Sequence, residues 1–232
     1  IKDTPTLEKG KLIAVLPFSM LISKGLSFNT TKILYDLIVK DLKSLQNEKI
    51  IERIYLLTDS QELIDYSIKT YTFIKIPYLR ENDEKQTLLS ILQTFIIREN
   101  IDESYSILLQ KFMNITIDRK VFMEKLCKKY IYSSCSSASW IVKNNNSVFR
   151  EMTDTLYRLD EEIHKYKGFR KPFYEGIDSL GQIIHTDNIR NGCFNTHSSL
   201  FLQAESTSLS IDISSDKIFS DINKLFYMIN ED

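Results

Sequence analysis

The chain has 232 residues, of which 43% are hydrophobic, 26% charged and 11% aromatic, with only 6 Gly and 4 Pro, a composition that excludes collagen-like and low-complexity chains and supports a self-sufficient core. Thirty Lys and Arg oppose 31 Asp and Glu, so a formal charge of -1 gives no global attraction for nucleic acid or an anionic membrane, and an anionic ligand has to be held locally. Cys127, Cys135 and Cys193 are odd in number and lack CxxC spacing, which argues for a reducing, cytoplasmic compartment over a disulfide scaffold or a zinc ribbon. No apolar run is long enough to span a membrane, and the opening IKDTPTLEKG lacks the basic-then-apolar order of a signal peptide. The first residue is Ile rather than Met, which leaves a preceding segment open.

Residues 11–18 (KLIAVLPF) are a short apolar run closed by a proline and predict a buried first strand. Over residues 30–45, Ile33, Leu34, Leu37, Ile38, Leu42 and Leu45 recur every three or four positions, with Asp36, Lys40, Asp41 and Lys43 opposite, and predict an amphipathic helix. Residues 51–60 (IERIYLLTDS), 61–71 (QELIDYSIKTY) and 72–79 (TFIKIPYL) read as strand, helix and strand, with Thr58, Asp59 and Ser60 supplying turn and cap. A helix over 85–98 and a short strand over 105–110 (YSILLQ) continue the rhythm. Strands alternating with helices at these intervals predict an α/β fold, a mostly parallel twisted sheet with helices on both faces. A helix over 121–130 and a strand over 132–142 follow, and 144–146 is a turn. Residues 149–166 give no clear period, and 167–181 are polar and glycine-containing. The last unit comprises CFNTHSSLFL (193–202), SLSIDISS (208–215) and an amphipathic helix from Asp216. There is no internal repeat.

Candidate ligand contacts follow from position. Gln110 ends a strand, where open α/β sheets bind ligands, although a structural amide fits equally. Asp59 suits a helix cap or a ligand contact. Asp212, an acid inside an apolar run, is costly to bury without a metal or hydrogen-bond partner, but an edge strand would leave it in solvent. The three histidines have no metal-ligand spacing, and Trp140 reads as core or interface packing.

Five stretches keep the order of one known family. Ser23, Lys24, Gly25 and Leu26 match part of an opening PARGGSKGLPxKN, and Thr58 to Ser60 match an STDS turn. Leu108 to Gln110 match the start of LQPTSPLR, Asn191 to Phe194 match NGaiY, and SIDISSDKIFSDI (210–222) matches SxDIDTxxDF with its following helix. From about residue 11 onward the chain resembles the acylneuraminate (CMP-sialic acid) cytidylyltransferases. That resemblance implies a nucleotide-diphospho-sugar transferase, Rossmann-like domain over 11–232, with 1–10 as an extension and 139–181 as a dimerisation excursion. It implies a homodimer that transfers CMP from CTP to a nonulosonic, sialic-acid-like sugar for surface polysaccharide synthesis, with Mg2+ as cofactor and no nucleic-acid or membrane partner. By the same resemblance Ser23, Lys24 and Gly25 meet phosphate, Gln110 and Asp59 border the base or sugar, Asn191 and Gly192 hold the sugar acid, and Asp212 carries the metal with Asp216 in support.

The departures are chemical. The opening stretch PFSMLISKGL has no Arg, and Met20 and Leu21 stand where glycines would let phosphate approach the backbone. Ser214 replaces the second carboxylate of Asp-x-Asp, KFMNIT follows Gln110, and Ile76 precedes Pro77 where the family commonly has Arg. Two further readings stay open: a catalytically inactive, partner-binding module of the same fold, and a nucleotide-sugar glycosyltransferase.

Overall fold

The computed structural model describes residues 11–19, 25–77, 87–111, 113–116, 118–144, 149–152, 155–158, 173–176, 180–194, 198–204 and 210–229. The predicted first strand is β1 (Leu12–Phe18), followed by α1 (Phe28–Asn47), β2 (Ile51–Thr58), α2 (Gln61–Thr70), β3 (Ile74–Lys75), α3 (Leu88–Arg98) and β4 (Ser106–Leu109). β1 alternates between two cores: Leu12, Ala14, Leu16 and Phe18 face the layer containing α1, whereas Ile13 and Val15 face the layer containing α3. Burial on both faces is why the strand reads as continuous apolar sequence. Pro17 lies beyond Val15, the last β1 residue paired with β4, so its missing N–H leaves no gap in that ladder.

The second half departs further from expectation. β5 (Asn114–Thr116), within the stretch KFMNIT, precedes α4 (Arg119–Ile131). Residues 132–136 are not strand, because Tyr132 and Ser133 still donate to the Lys128 and Tyr130 carbonyls at the end of α4. The strand proper is β6 (Ser137–Asn144), and it absorbs Asn144, expected in a turn. Trp140 is 1% exposed and packs edge-on against Phe122 of α4 at 4.9 Å, a core residue. The stretch without a clear period contains a hairpin, β7 (Phe149–Met152) with β8 (Thr155–Arg158), and the polar stretch contains β9 (Phe173–Gly176), antiparallel to β6. β10 (Gln182–His185) and α5 (Thr186–Arg190) were not predicted at all; β11 (Ser199–Ala204), β12 (Ser210–Asp212) and α6 (Asp216–Ile229) complete the chain.

The main sheet has eight strands, seven of them in the order β11-β6-β10-β4-β1-β2-β3. All adjacent pairs on that path are parallel except those made by β10, which runs antiparallel to both β4 and β6. A small second sheet pairs β5 with β12. This is the expected α/β architecture with helices on both faces. No described helix is long and apolar enough to cross a membrane.

Candidate functional site at the carboxyl ends of the strands

The strand order reverses at β1: β2 and β3 lie to one side and β4 to the other. Such a switch point is where open α/β sheets place their ligands, outside the carboxyl ends of the strands. Gly25 lies on the segment from β1 to α1, Asp59 follows β2, and Gln110 follows β4. Ser23 and Lys24 lie outside the described residues.

The exits of β1 and β2 are tied together, since Ser19 Oγ donates to Asp59 Oδ2 at 3.1 Å. Asp59 is therefore not the cap of α2. Ser60 is, accepting from Leu63 N at 3.2 Å, while Thr58 Oγ1 accepts from Ser60 N. Gln110 sits where the strand reading put it, but its side chain is 0% exposed, its backbone N–H donates to the Val15 carbonyl, and its Nε2 donates to the Lys111 carbonyl at 2.9 Å. It is packed beneath the exits of β1 and β4 and presents no surface there. Gly181 lies against it: its φ of 94° is a conformation that favours glycine, and a Cβ there would stand 2.7 Å from Gln110 Oε1.

The C-terminal segment closes the region. β12 sets Asp212 opposite Asn114, and Ile213 N donates to the Met113 carbonyl at 2.9 Å, fastening the segment to the chain leaving β4. Asn114 is itself fixed by buried Arg119, whose Nη2 donates to its carbonyl and its Oδ1 at 2.5 and 2.9 Å. Beyond Ile213, the Ser214 carbonyl packs on Gly25 so tightly that any Cβ would collide with it. The Asp216 N–H donates to the Gly25 carbonyl at 3.4 Å, and the Asp216 carboxylate accepts from Ser27 N and Ser27 Oγ, each at 3.1 Å. Hydrogen bonds from Thr30 and Ser27 hold that carboxyl below the usual carboxylate range. Gly25, Gln110, Asp212 and Asp216 are thus gathered around the loops that leave β1 and β4.

Asn191 and Gly192 are not brought to this place. β10 runs antiparallel, from Gln182 beside Leu109 to His185 beside Ser106, and carries the chain to the amino end of β4 before α5 begins. Arg190, at the end of α5, bonds the Ile101 carbonyl and Glu103, both ahead of β4. The Asn-Gly pair has a local cause instead. Gly192 N donates to the Ile189 carbonyl and Cys193 N to the Asn188 carbonyl, the paired bonds of a helix terminus whose left-handed residue, φ 78°, is Gly192. Sequence reasoning also missed Gly181, Ser27, Asn114 and Arg119. Of these only Ser27 carried a signal, a serine placed to cap the helix after it.

No family model matches the chain, and no curated protein matches it in sequence. Solved structures match it in shape. A 4-diphosphocytidyl-2C-methyl-D-erythritol synthase superimposes with a TM-score of 0.63 at 8% identity, covering 94% of this chain and 99% of that one. The 4-diphosphocytidyl-2C-methyl-D-erythritol synthase from Anaerococcus prevotii gives 0.61 at 10% identity over 97% of this chain and 99% of that one. A CMP:2-keto-3-deoxy-manno-octonic acid synthetase complexed with CTP gives 0.60 at 8% identity over 94% and 99%. At such identities the likeness concerns architecture: the chain has the Rossmann-like nucleotidyltransferase fold of these cytidylyltransferase structures.

Proposed function

We propose that this protein is a cytidylyltransferase that moves CMP from CTP to a sugar acid of the nonulosonic type. The observation that carries the reading is the C-terminal segment bridging the loops that leave β1 and β4, which brings Gly25 and the strand bearing Asp212 to the carboxyl ends of those strands. In the reaction, the sugar hydroxyl oxygen forms a bond to the α-phosphorus, the bond from that phosphorus to the bridging oxygen breaks, pyrophosphate departs with the bond electrons, and the hydroxyl proton passes to water. Catalysis of this kind rests on positioning and on neutralising phosphate charge. Lys24, with Ser23 and Gly25, is the proposed phosphate contact, and Ser19 and Asp59 border the mouth.

Magnesium sites on nucleotides need only one or two protein carboxylates, phosphate and water completing the shell. Asp212 meets that requirement by itself, and among the described residues no cluster of three His, Cys, Asp or Glu is gathered. The ion would neutralise triphosphate charge. The Asp216 carboxylate is engaged with Ser27, and Asn191 and Gly192 are assigned no sugar contact. Pairing of two copies through 139–181 belongs to the same proposal.

The inactive-module reading draws on Gln110, whose amide is buried rather than presented, and on Ser214 where a second carboxylate is expected. Titration calorimetry with CTP, with and without magnesium, followed by pyrophosphate release over a panel of nonulosonic acids, separates the two. Magnesium-dependent binding with release, abolished in Asp212→Ala, is expected. Absence of binding in both conditions would leave the partner-binding reading.

A further inference from the structure

The start of α1 is built in an unusual way. Ser27 is its N-cap, accepting from Thr30 N at 3.3 Å. In a capping box, a Glu or Gln three residues on returns the favour by accepting the N–H of the cap residue. Here that position is Thr30, whose side chain is too short, and the Ser27 N–H is taken by Asp216, 189 residues away in sequence. Two further contacts run between the same pieces of chain: Asp216 N to the Gly25 carbonyl, and the Ser214 carbonyl against the Cα of Gly25. The other end of the C-terminal segment is pinned to the chain leaving β4 through Ile213 and the β5–β12 pairing.

We infer that Asp216 is a positioning residue: its carboxylate completes the α1 cap from a distance and so clamps the segment Gly25–Ser27 to the strand that carries Asp212. The functional half of this inference rests on the cytidylyltransferase reading; the clamp does not. With the clamp closed, the end of the phosphate-side loop and the metal-side strand hold a fixed separation, which is what a triphosphate spanning them requires.

The test replaces the remote cap by a local one. Asp216→Ala removes the carboxylate, and Thr30→Glu in the same chain supplies a local acceptor for the Ser27 N–H. Asp216→Asn, which keeps one acceptor oxygen, serves if the alanine variant does not fold. Amide hydrogen exchange is followed at Ser27, Ile213 and residue 216, together with the urea midpoint. Asp216→Ala is expected to speed exchange at all three by about tenfold. Thr30→Glu is expected to restore the midpoint and slow Ser27 again, while Ile213 and residue 216 remain fast. If Asp216→Ala leaves Ile213 unchanged, or Thr30→Glu restores all three amides, Asp216 is only a helix cap and the inference is overturned. These readouts need no nucleotide, so a wild-type chain that fails to bind CTP sinks the proposed function and leaves the clamp to be judged on its own. In a wild-type chain that turns over CTP, both variants are expected to raise KM for CTP by about tenfold with a smaller change in kcat; unchanged KM would confine the clamp to stability.

Discussion

Asp216 and Asp59 have the same chemistry and similar settings, each beginning or preceding a helix, yet they do different work. Asp59 yields the cap of α2 to Ser60 and accepts from Ser19 instead. Asp216 reaches across to Ser27 and, by resemblance alone, would have been read as a metal ligand. Its depressed pKa carries a pH signature. A carboxyl whose folded pKa lies below its unfolded value, about 3.9, contributes stability that is fully present above that value and is lost as pH falls through the folded one. The stability difference between wild type and Asp216→Asn, from urea unfolding, should therefore be flat from about pH 7 to 5 and shrink below about pH 4. A difference that grew on acidification would contradict the hydrogen bonds to Ser27 and Thr30. Such a role was not legible in the sequence, because a carboxylate's partner is a matter of which chain segment lies beside it.

Helix ends show how far local sequence can be trusted. α1, α3 and α5 terminate alike, with paired bonds closing on a left-handed residue: Lys49 (φ 60°), Asn100 (φ 49°) and Gly192 (φ 78°). Glycine suits that conformation, asparagine tolerates it and lysine pays a steric penalty of about 1–2 kcal/mol, partly offset by glycine's greater chain entropy. Lys49→Gly should accordingly raise stability by about 0.5–1 kcal/mol, and Gly192→Ala should lower it by about 1 kcal/mol with the architecture intact. Thermal and urea unfolding of the two variants check both signs. This reading also gives the Asn191-Gly192 landmark a local cause, a helix terminus at the amino end of β4 and away from the loops that leave β1 and β4. Helices from α1 to α4 were visible because apolar residues recur at helical spacing. β10 was invisible: its four residues, QIIH, are too few to show a period, and it is held by neighbours on both sides.

At the level of the whole molecule, two apolar layers pack on either side of the sheet, and the proposed nucleotide site lies beyond them at the carboxyl ends of the strands. If CTP binds the native state alone, it stabilises that state by mass action: at a free concentration 100 times its Kd the gain is about 2.7 kcal/mol. A shift of that size in the urea midpoint with CTP and magnesium, absent in Asp212→Ala, is the expected result, and an equal shift in the variant would place the nucleotide elsewhere. The sequence by itself determined the α/β architecture, since buried parallel strands and amphipathic helices write their periods locally, and it located β1, β2 and β4 with their exits at Phe18, Thr58 and Gln110. The tertiary structure alone decided which residues meet at those exits. The antiparallel course of β10, which brings Gly181 to Gln110 and carries Asn191 away, and the span from Asp216 to Ser27 depend on contacts between segments far apart in the chain, and no local pattern of side chains encodes the direction in which a strand enters a sheet.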